Sequence, residues 1–302
     1  AYGEVAPLPD FGTETVGEAD ALLARLAETP DMELPASHPC CAFALSAAKR
    51  SLIARDAALD EAQAKRDAAV PAAYPVAGLL PGGLAALKSA AAKLAAGYRS
   101  LKWKIGVLPV DDEIAIALNL LSALPPGVRI RLDGNAGLSP DALARWLDFL
   151  GGFSEQVEFV EQPLPPGAEA AMAAMAASSG VPIALDESLN GSDGGDWLRP
   201  GAWAGPLVIK PLLMGDLSTL EARLRPVATQ LVYSSVFETV FGLRAALDLI
   251  AQLPASPYAL GFDTTAAFAD PLSPGFAGPR LEMEQLTSIE LNQKWNHLPH
   301  LT

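Results

Sequence analysis

Five short apolar runs in this chain each finish on a charged residue: Leu101-Lys102-Trp103-Lys104, Arg131-Leu132-Asp133, Phe159-Val160-Glu161, Leu185-Asp186 and Val208-Ile209-Lys210. An apolar strand that ends in an ionisable group must deliver that group to a polar place, because burying it unpaired costs several kcal/mol or more. Successive ends lie about 25 to 30 residues apart, the length of one βα unit. This pattern points to parallel strands that carry their charges to one shared site.

The wider pattern agrees. Runs rich in β-formers fall at 74–80, 100–107, 128–135, 157–163, 182–188, 207–211, 231–236 and 259–263. Helix-like segments lie between most of them, at 84–98, 111–124, 140–150, 168–178, 217–224 and 241–253. Ser139-Pro140 reads as an N-cap followed by proline at the first helical position, and Leu143, Trp146, Leu147 and Leu150 then recur at helical spacing. The predicted fold is α/β, a (β/α)₈ barrel, whose reactive groups sit at the carboxyl ends of its strands. A doubly wound sheet is the competing architecture, but Leu80-Pro81-Gly82-Gly83 is a turn signal and not a phosphate loop. Residues 1–70, with helix candidates at 18–27 and 42–57, do not fit the repeat; together with 266–302 they are expected to form a smaller domain beside a barrel of 71–265. The stretch 190–196, dense in Gly, Asp and Ser, reads as a mobile surface loop.

Charge and composition exclude some functions. A formal net charge of -14 repels nucleic acid and anionic membrane surfaces. No apolar stretch approaches the roughly 20 residues of a membrane span, and the start lacks the regions of a signal peptide. Cys40 and Cys41 are adjacent, a poor geometry for a disulfide, so a reducing, cytoplasmic location is expected. The histidines are His38, His297 and His300, none on a strand end, which disfavours zinc or a histidine proton relay.

The strand ends carry the chemistry. Alternation puts Lys102 and Lys104 on one face and Leu101, Trp103 and Ile105 on the other. Two ammonium groups so close are expected to depress each other's pKa, freeing Lys104 to act as a base. Arg131, Asp133 and Asn135 are expected to share the inward face of their strand. Asp133, Glu161 and Asp186 are three hard oxygen donors suited to Mg²⁺, with Mn²⁺ as the alternative ion. Taken singly, each carboxylate could equally cap a helix or pair with a lysine. Ser234 and Ser235 lack a nucleophile elbow and read as hydrogen-bond donors to a substrate. A base, a cation and a metal together suit removal of a proton from carbon next to a carboxylate.

With Lys-x-Lys, Asp133-Gly134-Asn135, Glu161-Gln162-Pro163, Asp186-Glu187-Ser188 and Ile209-Lys210-Pro211 in this order and spacing, the chain resembles the enolase superfamily in its lysine-base, muconate-lactonising branch. The resemblance implies a barrel with an α+β capping domain and a Mg²⁺-dependent lyase acting on a small-molecule carboxylate. Gly3-Glu4-Val5-Ala6-Pro7-Leu8-Pro9 with Phe11-Gly12, Arg131, Ser234-Ser235 and Gly261-Phe262-Asp263 point within the branch to a dehydratase. Lys104 would then be the base and Lys210 a protonated lysine on the opposite face, with Lys102 lowering the pKa of Lys104. Asp133, Glu161 and Asp186 would hold the metal, Asn135 and Glu187 would support them, and Arg131, Ser234, Ser235 and Gly261 would lie near the substrate. Members of the family carry capping strands and a closing loop ahead of the Gly-Glu-x-Ala-Pro segment, so the capping domain is expected to be incomplete at the amino terminus. The expected state is a monomer or homodimer. Rival readings are a racemase or epimerase of the same branch, a Schiff-base aldolase using Lys210, and a catalytically silent metal-binding protein.

Overall fold

The computed structural model describes residues 1–56, 73–190, 194–264, 272–276, 278–282 and 286–298. The expected domain boundaries at 70/71 and 265/266, the end of the helix expected at 42–57, and His300 lie outside them. Strands β2 (Gly78–Leu80), β3 (Ser100–Lys104), β4 (Arg129–Asp133), β5 (Val157–Glu161) and β6 (Ile183–Ala184) form a parallel sheet in chain order, and β7 (Leu207–Ile209) pairs in parallel with β8 (Leu231–Tyr233). Single bridges close the ring. Leu185 joins Leu207, Ser234 joins Gly261, and Leu260 joins Val76 ahead of β2. At these seams Val208 N donates to Leu185 O, Gly261 N to Tyr233 O and Ala77 N to Leu260 O, each at 2.8 Å. The fold is a (β/α)₈ barrel with a smaller α+β region against it.

Local chemistry explains where the expected elements changed. The run at 74–80 divides, because Pro75 has no N–H to continue a ladder. Its first part, β1 (Ala73–Pro75), leaves the barrel and pairs antiparallel with β9 (Arg280–Glu282). The strand expected at 259–263 survives as the bridged residues Leu260 and Gly261. Of the expected mobile loop at 190–196, residues 191–193 lie outside the described set, and Gly194–Leu198 is a 3₁₀ turn with Gly194 and Leu198 buried.

Two apolar layers follow from strand alternation. Leu101, Trp103, Ile105, Ile130 and Leu132 are buried in the main core with the surrounding helices. Helix α5 (Pro140–Leu150), capped by Ser139, presents Leu143, Trp146, Leu147 and Leu150 to it, and Trp146 meets Trp103 edge-on at 6.1 Å. Phe159, Ala184, Val208 and Val232 form a separate apolar cluster. Each precedes Glu161, Asp186, Lys210 or Ser234 by two residues, so this cluster is the barrel's interior plug beneath the charged ends.

The segment before α1 (Val16–Glu28) is fastened by two carboxylates. Glu14 accepts from the N–H groups of Cys40 (3.2 Å) and Cys41 (2.8 Å) at the start of α2 (Pro39–Asp56). Glu4 accepts from Thr239 N (2.8 Å), Thr239 Oγ1 and Gly242 N (2.7 Å) at the start of α8 (Val240–Gln252). Carboxylates at helix N-termini satisfy amides that no helix can satisfy internally and complement the helix dipole. Among the described residues no helix is long and apolar enough to cross a membrane.

Candidate active site

Lys104 pairs in register with Asp133, and Asp133 with Glu161, so three adjacent strands end in a row of charged side chains. Asp186 follows β6 and Lys210 follows β7. The three carboxylates are buried. Lys102, one step deeper than Lys104, places Nζ 2.8 Å from Asp133 Oδ2 and 2.7 Å from Glu161 Oε1. The Lys210 ammonium pairs with Asp186 Oδ1. Lys104 is exposed, and among the described residues its ammonium has no ion pair or hydrogen bond.

This geometry revises the expected lysine electrostatics. Burial works to lower the Lys102 pKa, but the attraction of Glu161, Asp133 and Asp186 outweighs it, and the net direction is upward. Lys102 is therefore a locked cation, its charge spent on carboxylates. The Glu161 carboxyl is raised by burial and by Asp133, against the pull of Lys102 and Lys210. Glu187 is pushed up to about 7 by burial and by Asp186, and its Oε2 has no hydrogen-bond partner among the described residues.

The donor set fits Mg²⁺ by its chemistry: three buried carboxylates repel one another and require cationic charge among them. Here the lysines supply that charge. As the side chains stand, no group of three donors closes around a common point among the described residues, and Lys102 and Lys210 stand against their oxygens.

Asn135 departs from the expected inward face. The strand ends at Asp133, Asn135 and Ala136 turn into the left-handed region (φ 42° and 57°), and the Asn135 backbone N–H donates to Asp133 Oδ1 at 3.0 Å. Gly134 permits this turn, since a Cβ there would stand 2.8 Å from Pro163 Cα. Arg131 is buried beneath the carboxylates, its guanidinium 5.1 Å from the Phe159 ring centroid. The Ser235 hydroxyl is already engaged: it donates to Glu238 Oε2 (3.0 Å) and accepts from Phe237 N (2.9 Å). Ser234 lies beside Gly261, where a Cβ would meet Ser234 Oγ at 3.1 Å.

Three contributors were given no role in the sequence reading. Phe11 covers Lys210, whose Nζ is 4.6 Å from the ring centroid. Glu238 organises the turn after β8 and is pushed up to about 7 by burial. Glu4 bonds the first turn of α8, so the Phe11 segment is anchored close to that turn. Glu4 and Phe11 stood in the sequence as marks of the resemblance, and Glu238 was not singled out.

Residues 85–198 match the model of the enolase C-terminal domain-like family. An o-succinylbenzoate synthase of Thermosynechococcus vestitus is 34% identical over 269 residues, which cover 86% of this chain and 79% of the relative. The chain belongs to the o-succinylbenzoate synthase family. That family lies in the muconate-lactonising branch of the enolase superfamily, as the strand-end motifs implied. A second o-succinylbenzoate synthase, from Enterobacter sp., is 30% identical over 302 residues, covering 95% of this chain and 87% of the relative. Among solved structures, the o-succinylbenzoate synthase of Thermosynechococcus elongatus BP-1, complexed with Mg in its active site, superposes with a TM-score of 0.78 at 30% identity, covering 98% of this chain and 87% of that one. The L-Ala-D/L-Glu epimerase of Bacillus subtilis, at 16% identity, a TM-score of 0.71 and coverage of 93% and 84%, shares the fold.

Proposed function

We propose that this protein is a Mg²⁺-dependent dehydratase that converts 2-succinyl-6-hydroxy-2,4-cyclohexadiene-1-carboxylate to o-succinylbenzoate, a step of menaquinone and phylloquinone biosynthesis. The observation that carries the reading is the division of labour among the lysines. Lys102 and Lys210 are bound to carboxylates, whereas the Lys104 side-chain nitrogen, in the same row, is unengaged among the described residues.

Asp133, Glu161 and Asp186 would hold Mg²⁺. When bound, Mg²⁺ supplies a Lewis acid to the substrate carboxylate, where the charge of an enediolate gathers. The chain's own groups do the rest. The neutral Lys104 amine takes the proton from C1, α to the carboxylate, and the C1–H electron pair moves into the enediolate. The enediolate electrons then expel the C6 hydroxyl, which receives the proton from Lys104 and leaves as water; the ring becomes aromatic and Lys104 returns to its neutral form. Lys210 stays protonated on the far side, held by Asp186 and covered by Phe11, and its charge favours the enediolate.

The test is product formation by the purified protein, followed by ultraviolet absorbance. Turnover with Mg²⁺ that stops on adding EDTA supports the reading. Turnover of N-succinylamino acids alone, with α-deuterium washed out of both enantiomers, contradicts it.

A further inference from the structure

Gln162 is fully buried and lies where three strand ends meet. Its backbone N–H donates to Ala184 O (2.8 Å), the last rung toward β6, and its carbonyl accepts from Ala136 N (2.7 Å), in the turn that follows Asp133. The β5–β6 ladder stops at Glu161 opposite Ala184, two residues short of Asp186. Beyond that point the Gln162 side chain continues the sheet. Oε1 accepts from Asp186 N (2.9 Å) and Ser188 N (3.2 Å), while Nε2 donates to Leu164 O (2.9 Å) and Ser188 Oγ (2.8 Å). A φ of 31°, unusual for a residue with a side chain, turns Gln162 into this seam. Every hydrogen-bonding group of the residue is engaged, and the partners belong to the three segments that carry Asp133, Glu161 and Asp186.

We infer that Gln162 is a positioning residue that sets the spacing of Asp133, Glu161 and Asp186 and so the affinity of their site for a divalent cation. The inference rests on the Mg²⁺ reading above. A carboxylate held by its own backbone is only as well placed as that backbone. Asp186 follows a two-residue strand whose ladder to β5 ends at Ala184, so the glutamine amide does there what a neighbouring strand does elsewhere. An asparagine is one methylene shorter and cannot span the seam. Removing the Ser188 hydroxyl deletes one of the four side-chain bonds and leaves the glutamine in place.

The test is calorimetric titration of Mg²⁺ into the metal-stripped full chain, at a temperature where circular dichroism shows each variant folded. Gln162→Asn is expected to weaken Mg²⁺ binding by about 10-fold or more, in the range seen when groups behind metal ligands are lost. Ser188→Ala, the milder change that stands alone should Gln162→Asn fail to fold, is expected to weaken it severalfold. Leu220→Ala, a buried apolar change in the helix layer, is expected to lower Tm and leave Mg²⁺ affinity unchanged. Wild-type affinity in folded Gln162→Asn, or in Ser188→Ala, would overturn the positioning role and leave the metal reading standing. A wild-type chain that binds no Mg²⁺ would overturn the metal reading itself, and this inference with it.

Discussion

Arg131 and Glu158 meet inside the barrel, Nε 2.5 Å from Oε2, because β5 carries one residue more than its partner strand. Ile130 pairs with Val157 and Arg131 with Phe159, so Glu158 is the unpaired residue of a β-bulge and turns inward. Ser100 Oγ donates to the same carboxylate oxygen at 3.3 Å. The pair lies directly beneath the row of site charges and fixes the guanidinium over Phe159.

Breaking the pair on one side leaves a buried cation alone. Glu158→Ala is expected to destabilise the fold by ~3–5 kcal/mol, measured by urea unfolding. Arg131→Met combined with Glu158→Leu should recover much of that loss, because two apolar residues leave no charge uncompensated.

Glu4→Ala removes the acceptor for two backbone N–H groups and one hydroxyl at the start of α8. A loss of about 1–2 kcal/mol is expected, again by urea unfolding. Glu4→Gln should lose less, since it keeps one acceptor oxygen.

Glu238 gives the fold a pH dependence of definite sign. Its folded pKa, pushed up to about 7 by burial, exceeds the ordinary glutamate value of 4.5. The folded state therefore binds its proton more tightly, and this stabilisation is fully present below pH ~4.5 and lost as pH rises to ~7. Glu238→Gln cannot titrate. Its Tm relative to wild type is expected to climb through that window and level off above it; a flat difference from pH 4 to 8 would contradict the assignment.

Lys210 is assigned a charge and not a proton-transfer role. Lys210→Arg keeps the charge beside Asp186 and should retain at least ~10-fold more activity than Lys210→Ala, consistent with a difference above 1.4 kcal/mol in barrier. Equal loss in both variants would instead indicate that Lys210 exchanges protons.

The parts of the site legible in the sequence are those that obey strand alternation. Lys104, Asp133, Glu161, Asp186 and Lys210 each end an apolar run, with Lys102 on the same face as Lys104, and that pattern reports which residues reach the barrel mouth. Glu158 was illegible because a bulge reverses alternation at one position and leaves no mark in composition. Asn135 was misplaced for the opposite reason: the strand stops two residues earlier, in a left-handed turn. Glu4 and Glu14 act on helices 235 and 26 residues away in the chain, and no local pattern encodes such pairs. The expected lowering of the Lys102 pKa did not hold, because a like-charge argument considered Lys102 and Lys104 alone, whereas carboxylates from β4 and β5 reach Lys102 directly.

The most direct test of the account is the turnover of 2-succinyl-6-hydroxy-2,4-cyclohexadiene-1-carboxylate by Lys104→Ala beside wild type, both saturated with Mg²⁺. Lys104 is exposed and, among the described residues, unpaired, so the variant should fold and bind Mg²⁺ as wild type does. Its kcat is expected to fall by at least ~10²–10⁴-fold, the contribution of a positioned general base. A Lys104→Ala variant that dehydrates the substrate at the wild-type rate would contradict the assignment of the base and, with it, the proposed mechanism.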